Sequence, residues 1–211
     1  MARWSEAKLM DYRLYLVTDD KIANNELYDI VRSGVKGGVT IVQLREKTAD
    51  GQLFYEKAKI LQSILKPLDI PLIINDRVDI ALAVGAAGVH VGQDDLPCAV
   101  VRKIVPDDMV VGISVSNVEE AKLAQEQGAN YVGIGSVFPT TSKSDADLLA
   151  PGMLEEIIAA IDIPAVAIGG IQLENIKMLK NRGLAGVSVV SAISKSKNPE
   201  KSARDLLQLF L

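Results

Sequence analysis

The chain has 211 residues, of which 48% are hydrophobic and 24% are charged, and its formal net charge is -4. It contains one cysteine and one histidine, which excludes an intramolecular disulfide framework, a cysteine-based zinc site and a histidine-pair metal motif. The acidic balance gives no broad cationic surface for nucleic acid or anionic lipid, and no segment approaches the roughly 18 consecutive apolar residues of a membrane span. We therefore expect a cytoplasmic, soluble protein with no nucleic-acid or membrane partner.

Two kinds of segment alternate along the chain. Short runs rich in Val and Ile, bounded by Gly, Pro, Asn or Asp, predict buried parallel strands at Arg13–Asp19, Thr40–Glu46, Pro71–Asp76, Gly88–Gln93, Met109–Val115, Tyr131–Phe138, Pro164–Gly170 and Gly186–Ile193. Helical spacing of apolar residues predicts helices at Asn24–Gly34, Gly51–Lys66, Asp79–Val84, Ala99–Val105, Val118–Gln127, Met153–Ile161, Leu173–Asn181 and Pro199–Leu209.

Eight βα units of about 26 residues are the number that closes a barrel. The chain is therefore predicted to be an α/β protein made of a single (β/α)8 TIM-barrel domain over residues 1–211. The alternative is a doubly wound open sheet, but no Gly-x-Gly-x-x-Gly fingerprint follows the first strand. Glycine-containing segments that lead from a helix end into a strand also recur, at 37–39, 85–89, 128–131 and 183–187, which indicates a repeated βα unit.

Two cations follow the second predicted strand. Gln43, Arg45 and Lys47 alternate with Leu44 and Glu46, so the amide and both cations would face the barrel mouth if Leu44 faces the helices. Converging cations are costly unless an anion neutralises them, which predicts an anionic ligand here. A solvated strand end with an Arg–Glu pair is the alternative.

Aspartates follow the third and fourth predicted strands. Asp76 comes after Asn75, and Asp94 and Asp95 come after Gln93. Because these strands should be neighbours, Asp76 and one of the later aspartates could converge on Mg²⁺, which takes one or two protein carboxylates beside waters and phosphate oxygens. Helix N-capping by the same aspartates is the alternative.

The remaining strand ends carry neutral donors and backbone amides. Ser114 ends the fifth strand, and the polar loop at 139–147, which contains Lys143, follows the sixth. Strands seven and eight end in Gly169-Gly170 and Val190-Ser191, where such barrels recurrently bind phosphate through backbone amides at a helix N-terminus. Two anion sites are thus predicted, one cationic and one built from amides. His90, in the middle of a strand, is interpreted as a hydrogen-bonded interior histidine.

Seven motifs occur in order at the predicted strand ends. They read Gln-Leu-Arg-Glu-Lys at 43–47, Asn-Asp-Arg at 75–77, Gly-Val-His-Val-Gly-Gln-Asp-Asp at 88–95, Gly-Ile-Ser at 112–114, Phe-Pro-Thr-Thr-Ser-Lys at 138–143, Ile-Gly-Gly-Ile at 168–171 and Val-Val-Ser at 189–191. Together they resemble thiamine phosphate synthase over nearly the whole chain. The resemblance implies a transferase that joins 4-amino-2-methyl-5-hydroxymethylpyrimidine diphosphate to 4-methyl-5-(2-phosphoethyl)thiazole, or its carboxylated form, and releases pyrophosphate.

The resemblance also implies roles for individual residues. The pyrimidine diphosphate would be bound by Gln43, Leu44, Arg45, Glu46, Lys47, Asn75, Ser114 and Lys143. The thiazole phosphate would be bound by Thr140, Thr141, Ser142, Gly170, Val190 and Ser191. Mg²⁺ would be held by Asp76 and Asp95, with Asp95 favoured over Asp94.

The implied mechanism follows from charge. Arg45, Lys47 and Lys143 would act with Mg²⁺ and Ser114 as the catalytic groups, because they stabilise the departing pyrophosphate in a dissociative step through a pyrimidine-methyl cation. The thiazole nitrogen is already a nucleophile, so no general base is required. The sequence leaves open whether the protein forms a homo-oligomer.

Two other functions are weighed against this one. A thiazole tautomerase-like paralogue shares the barrel but uses a histidine near the fifth strand end, where this chain reads Ser-Val-Ser-Asn at 114–117. A non-catalytic phosphate-binding barrel would need the amide-built site but not the two carboxylates together with the cations. Formation of thiamine phosphate from both substrates would separate the three.

Overall fold

The computed structural model describes residues 10–140 and 147–211. Its strands are β1 (Leu14–Val17), β2 (Ile41–Leu44), β3 (Leu72–Asn75), β4 (Gly88–Val91), β5 (Val110–Val115), β6 (Tyr131–Ile134), β7 (Ala165–Ile168) and β8 (Gly186–Val189). These strands form a closed parallel barrel in chain order, which β8 completes by pairing with β1. The predicted (β/α)8 TIM barrel is therefore confirmed.

Helices surround the barrel and connect its strands. They are α1 (Asn24–Gly37), α2 (Gly51–Leu65), α3 (Val78–Val84), α4 (Cys98–Ile104), α5 (Val118–Glu126), α6 (Met153–Ala160), α7 (Ser191–Ser194) and α8 (Pro199–Phe210). Short turns of 3-10 helix occupy Lys66–Leu68 and Ile176–Leu179. None of the helices in the described ranges combines the length and apolar character that a membrane crossing requires.

The helix predicted at Leu173–Asn181 is wrong, because the segment contains only the 3-10 turn at Ile176–Leu179. The Asn175 side chain accepts the Gln172 N–H at 2.8 Å and donates to the Gly170 carbonyl at 2.8 Å. Such local side-chain bonds compete with the α-helical ladder. They hold the segment in a tight turn beside the end of β7.

The last predicted strand, Gly186–Ile193, is too long at its carboxyl end. The chain leaves the ladder after Val189 and forms the one-turn helix α7 from Ser191. Ala192 and Ile193 remain buried on that helix, so the apolar run continues through the change from strand to helix. Hydrophobic pattern alone cannot place such a boundary.

Side chains alternate between two apolar layers. Leu14 and Leu16 pack outward into the large cluster between strands and helices, whereas Tyr15 and Val17 point into the barrel. This alternation follows from the two-residue period of a strand. The inner cluster is small, and the carboxyl ends of the strands beyond it enclose a cavity.

Candidate active site

A cavity of about 340 Å³ opens at the carboxyl ends of the strands and is lined by residues from all eight of them. Its volume falls in the range of small-molecule sites. The predicted site residues that line it are Gln43, Arg45, Lys47, Asn75, Asp76, Asp94, Asp95, Ser114, Thr140, Gly170, Val190 and Ser191. Thr141, Ser142 and Lys143 lie outside the described residues.

Side chains at the end of β2 point alternately into the cavity and into the outer core. Arg45 and Lys47 reach the cavity, whereas Leu44 is buried in the outer core and Glu46 pairs with Lys57 of α2, with 2.7 Å between Glu46 Oε1 and Lys57 Nζ. Leu44 and Glu46 are not among the residues that line the cavity. The binding roles implied for Leu44 and Glu46 stay predictions, while their side chains pack in the core and pair with Lys57, respectively.

Lys47 and Asp76 meet at the mouth of the cavity. Lys47 Nζ lies 2.5 Å from Asp76 Oδ2. Asp76 has a φ of 62°, and its N–H donates to the His90 carbonyl at 2.8 Å, which fixes the chain where it leaves β3. Burial raises the pKa of Asp76 and the Asp95 carboxylate raises it further, while the hydrogen bond from Lys47 opposes both. Two carboxylates so placed favour a cation between them.

Helix capping does not explain these aspartates. The residue that precedes α3 is Arg77 and the one that precedes α4 is Pro97, and neither helix start has a side-chain cap. Asp95 Oδ2 instead accepts the Gly92 N–H at 2.8 Å within the turn after β4. The capping alternative is therefore wrong for Asp76 and Asp95.

A chain of hydrogen bonds crosses the cavity floor. Gln43 Nε2 donates to Tyr15 Oη at 2.7 Å, and Tyr15 Oη lies 2.9 Å from Tyr131 Oη. His90 lies 2.9 Å from Tyr131 Oη through Nδ1 and 2.9 Å from Ser114 Oγ through Nε2. Burial lowers the pKa of His90 to about 4, so the ring is neutral at pH 7. The interpretation of His90 as an interior, hydrogen-bonded histidine is confirmed.

Sequence reasoning missed the two tyrosines of this floor, because tyrosine in an apolar strand is typical of a core. A signal was present in β5. A Cβ on Gly112 would lie 2.2 Å from Tyr131 Cζ, so only glycine leaves room for the ring.

Ser188 was missed as well: its hydroxyl faces the cavity, is buried and has no hydrogen-bond partner among the described residues. A buried, unpaired hydroxyl of this kind calls for a ligand or water.

The ends of β7 and β8 present backbone rather than charge. Gly169 and Gly170 have φ values of 104° and 63°, a region that favours glycine. A Cβ on Gly170 would lie 2.3 Å from the Pro139 carbonyl oxygen. Gln172 Nε2 donates to Ser191 Oγ at 2.9 Å and so joins the two loops. The arrangement suits an anion held by main-chain N–H groups.

Known proteins resemble this chain over nearly its full length. The sequence model of the family described as thiamine monophosphate synthase matches residues 14–193. The thiamine-phosphate synthase of Ruminiclostridium cellulolyticum is 49% identical over 96% of this chain and 97% of its own length. That of Methanobrevibacter smithii is 46% identical over 95% and 96%.

Solved structures agree with this. Thiamine phosphate pyrophosphorylase from Pyrococcus furiosus superposes with a TM-score of 0.87 at 36% identity, over 95% of this chain and 96% of that one. 3-Hexulose-6-phosphate synthase from Salmonella typhimurium gives 0.73 at 17% identity, over 94% and 98%. At that identity the second likeness shows the fold alone.

Proposed function

The chain belongs to the thiamine monophosphate synthase family and is a transferase of that activity, and we propose that the cavity described above joins an aminopyrimidine-methyl diphosphate to a thiazole phosphate. The products are thiamine phosphate and pyrophosphate. The observation that carries this proposal is that Arg45, Lys47, Asp76 and Asp95 line one cavity, in which Lys47 contacts Asp76. A barrel that only bound phosphate would have no use for this cluster, and the relatives reported above are synthases rather than tautomerases.

The positions of the strands support two separate anion sites. The cluster of Arg45, Lys47, Asp76 and Asp95 follows β2 to β4, and the glycine-rich loops follow β7 and β8. In the closed barrel β3 and β7 face each other, because four strand steps separate them in either direction. A diphosphate bound at Lys47 and a phosphate bound at Gly170 would therefore place the two reacting rings between them, which brings the reactants together before reaction.

The carboxylates fit a divalent cation. Asp76 and Asp95 converge, burial penalises the Asp76 carboxylate and neither side chain caps a helix. No cluster of three or more His, Cys, Asp or Glu side chains occurs in the described ranges, but Mg²⁺ needs only one or two protein carboxylates. We assign these two residues to Mg²⁺. The ion would supply positive charge to the diphosphate oxygens.

The chemistry requires charge stabilisation rather than proton transfer. The bond between the pyrimidine methylene carbon and the diphosphate oxygen breaks, and both electrons leave with the diphosphate. The thiazole nitrogen then forms the new bond to that carbon with its lone pair. Arg45 and Lys47 bind the departing diphosphate, and Lys47 can exchange its contact with Asp76 for one with phosphate. The same role implied for Lys143 falls outside the described residues.

An assay with both substrates tests this function. The purified protein is expected to form thiamine phosphate in the presence of Mg²⁺, to stop when EDTA is added and to resume when Mg²⁺ is restored. Product is measured by chromatography, and pyrophosphate release is measured in parallel. An absence of product with both substrates and Mg²⁺, or a rate unchanged by EDTA, would refute the proposal.

The thiazole phosphate site can be tested at Gly170. We expect Gly170→Ala to raise the KM for thiazole phosphate about tenfold, the size of one lost hydrogen bond to a charged group. The added Cβ would lie 2.3 Å from the Pro139 carbonyl oxygen and displace the loop. Steady-state kinetics with each substrate varied in turn provide the measurement, and the KM for the pyrimidine diphosphate should change little.

Gly85→Ala is the matched control. Gly85 has the same φ of 63°, but a Cβ there meets no atom within 4 Å, and the residue ends α3 away from the cavity. This variant has the backbone strain of a positive φ but no steric clash. If it raised the KM for thiazole phosphate as much as Gly170→Ala does, the assignment of Gly170 to the phosphate would be wrong.

A further inference from the structure

The hydrogen bonds along the floor of the cavity must all donate in the same direction. Tyr15 and Tyr131 each have one O–H proton and a neutral His90 has one N–H, so three protons are shared among four links. The fourth proton comes from one end, either from the Gln43 amide or from the Ser114 hydroxyl. A buried O–H without an acceptor is costly, so the links must all run the same way.

The structure selects one of the two directions. The Gln43 amide nitrogen faces Tyr15 and donates to it. Tyr15 must then donate to Tyr131, Tyr131 to His90 Nδ1, and His90 Nε2 to Ser114 Oγ. At the two ends, the Gln43 carbonyl oxygen and the Ser114 hydroxyl proton are left for the cavity. In the opposite direction the cavity would meet the Gln43 amide N–H groups and a Ser114 oxygen without a free proton.

We propose that Tyr15, Tyr131 and His90 are positioning residues, a relay that makes Gln43 an acceptor and Ser114 a donor toward the substrate ring. An aminopyrimidine carries an amino donor and ring-nitrogen acceptors, so it matches one acceptor and one donor. The direction also bears on rate. As positive charge develops on the ring, its amino N–H becomes a stronger donor, and an amide carbonyl stabilises it whereas amide N–H groups would oppose it.

The shape of the barrel interior supports the relay. A Cβ on Gly112 would clash with the Tyr131 ring, and a Cβ on Gly133 would lie 3.2 Å from His90 Cε1. As whole residues, Tyr15 and Tyr131 are 2% and 1% exposed, and His90 is 8% exposed. Two strands thus lack side chains where the relay rings lie, and burial keeps water from breaking the chain.

The direction of hydrogen-bond donation along the relay can be measured without substrate. His90 is the one histidine of the chain, so ¹⁵N-histidine labelling gives NMR signals for a single ring. In the ligand-free protein at pH 7 we expect a proton on Nε2 and none on Nδ1. Gln43→Glu places at the far end a carboxylate that can only accept, and we expect the relay to reverse so that Nδ1 becomes protonated.

Two controls separate the relay from a general charge effect. Asn75→Asp adds a carboxylate to the same cavity, on the strand next to His90, and should leave Nδ1 unprotonated. Tyr131→Phe cuts the relay, so Gln43→Glu made in that background should no longer change Nδ1. Nδ1 unprotonated in Gln43→Glu, or protonated equally in Asn75→Asp, would overturn the proposal.

Kinetics give a second test that does not depend on Gln43→Glu folding. The purpose given to the relay rests on the proposed function. The NMR experiment contains no substrate, so its outcome is independent of that function. We expect Gln43→Ala and Ser114→Ala to be non-additive in kcat/KM by about tenfold. In the Tyr131→Phe background their effects should become additive. Coupling that persists there would run through the substrate and would refute the relay.

Discussion

Asp76→Asn is expected to lower kcat at least about 10²-fold while the KM for thiazole phosphate stays within about twofold. Asparagine keeps the size of the side chain but removes one of the two carboxylates that converge at the cavity mouth. It also leaves Lys47 without the carboxylate that lies 2.5 Å from its Nζ. Because the glycine loops after β7 and β8 lie across the barrel, binding of the second substrate should be spared. Steady-state kinetics at saturating Mg²⁺ provide the measurement.

Asp94→Asn is the matched control, since Asp94 lines the same cavity and the substitution removes the same charge. Of the two residues, only Asp76 forms an ion pair with Lys47 within the described part of the chain. We expect Asp94→Asn to keep kcat within about threefold, the scale of an exposed charge contact. Equal losses in the two variants would show that net charge, not the Asp76 carboxylate, governs the reaction. The Mg²⁺ concentration at half-maximal rate should rise for Asp76→Asn alone.

The cation side of the site was predictable because it depends on local alternation. Gln43 faces the cavity in β2, and Arg45 and Lys47, which follow the end of β2 at Leu44, continue the same alternation and also line the cavity. The same alternation predicts that Glu46 points away from the cavity, but it does not predict which residue Glu46 pairs with. Lys57 lies on the following helix, and a buried contact between a strand end and a helix depends on how those two elements pack. The resemblance groups Glu46 with the ligand-binding residues, whereas the structure shows that its side chain pairs with Lys57.

The floor of the cavity was not predictable in the same way. Tyr15 and Tyr131 lie in apolar strands, where an aromatic residue normally indicates core packing. They are more than core residues because their hydroxyls form hydrogen bonds with each other and with His90 inside a closed barrel. That meeting depends on strand register, since Tyr131 pairs with Gly112 and Gly112 with His90. Sequence periodicity gives the face of each side chain but not its height in the barrel.

Lys57→Met is expected to lower the free energy of unfolding by about 3–5 kcal/mol. The side chains of Lys57 and Glu46 are only 7% and 2% exposed, so removal of the lysine leaves a carboxylate buried without its partner. Glu46 lies between Arg45 and Lys47, and loss of its anchor should also displace both cations and lower kcat. Urea denaturation followed by circular dichroism measures the change in stability. The double variant Glu46→Leu/Lys57→Met should recover most of that stability, because no unpaired charge remains.

Lys59→Met is the control, because Lys59 lies on the same helix and pairs with Glu56 at 3.3 Å while both side chains stay largely exposed. Solvent screens such a pair, and its loss should cost no more than about 1 kcal/mol. A Lys57→Met variant no less stable than Lys59→Met would show that the buried pair does not anchor the strand. If the double variant recovers stability but not activity, Glu46 and Lys57 serve to place Arg45 and Lys47. Recovery of both would mean that the strand end keeps its position without the ion pair and that packing of Leu44 and its neighbours suffices.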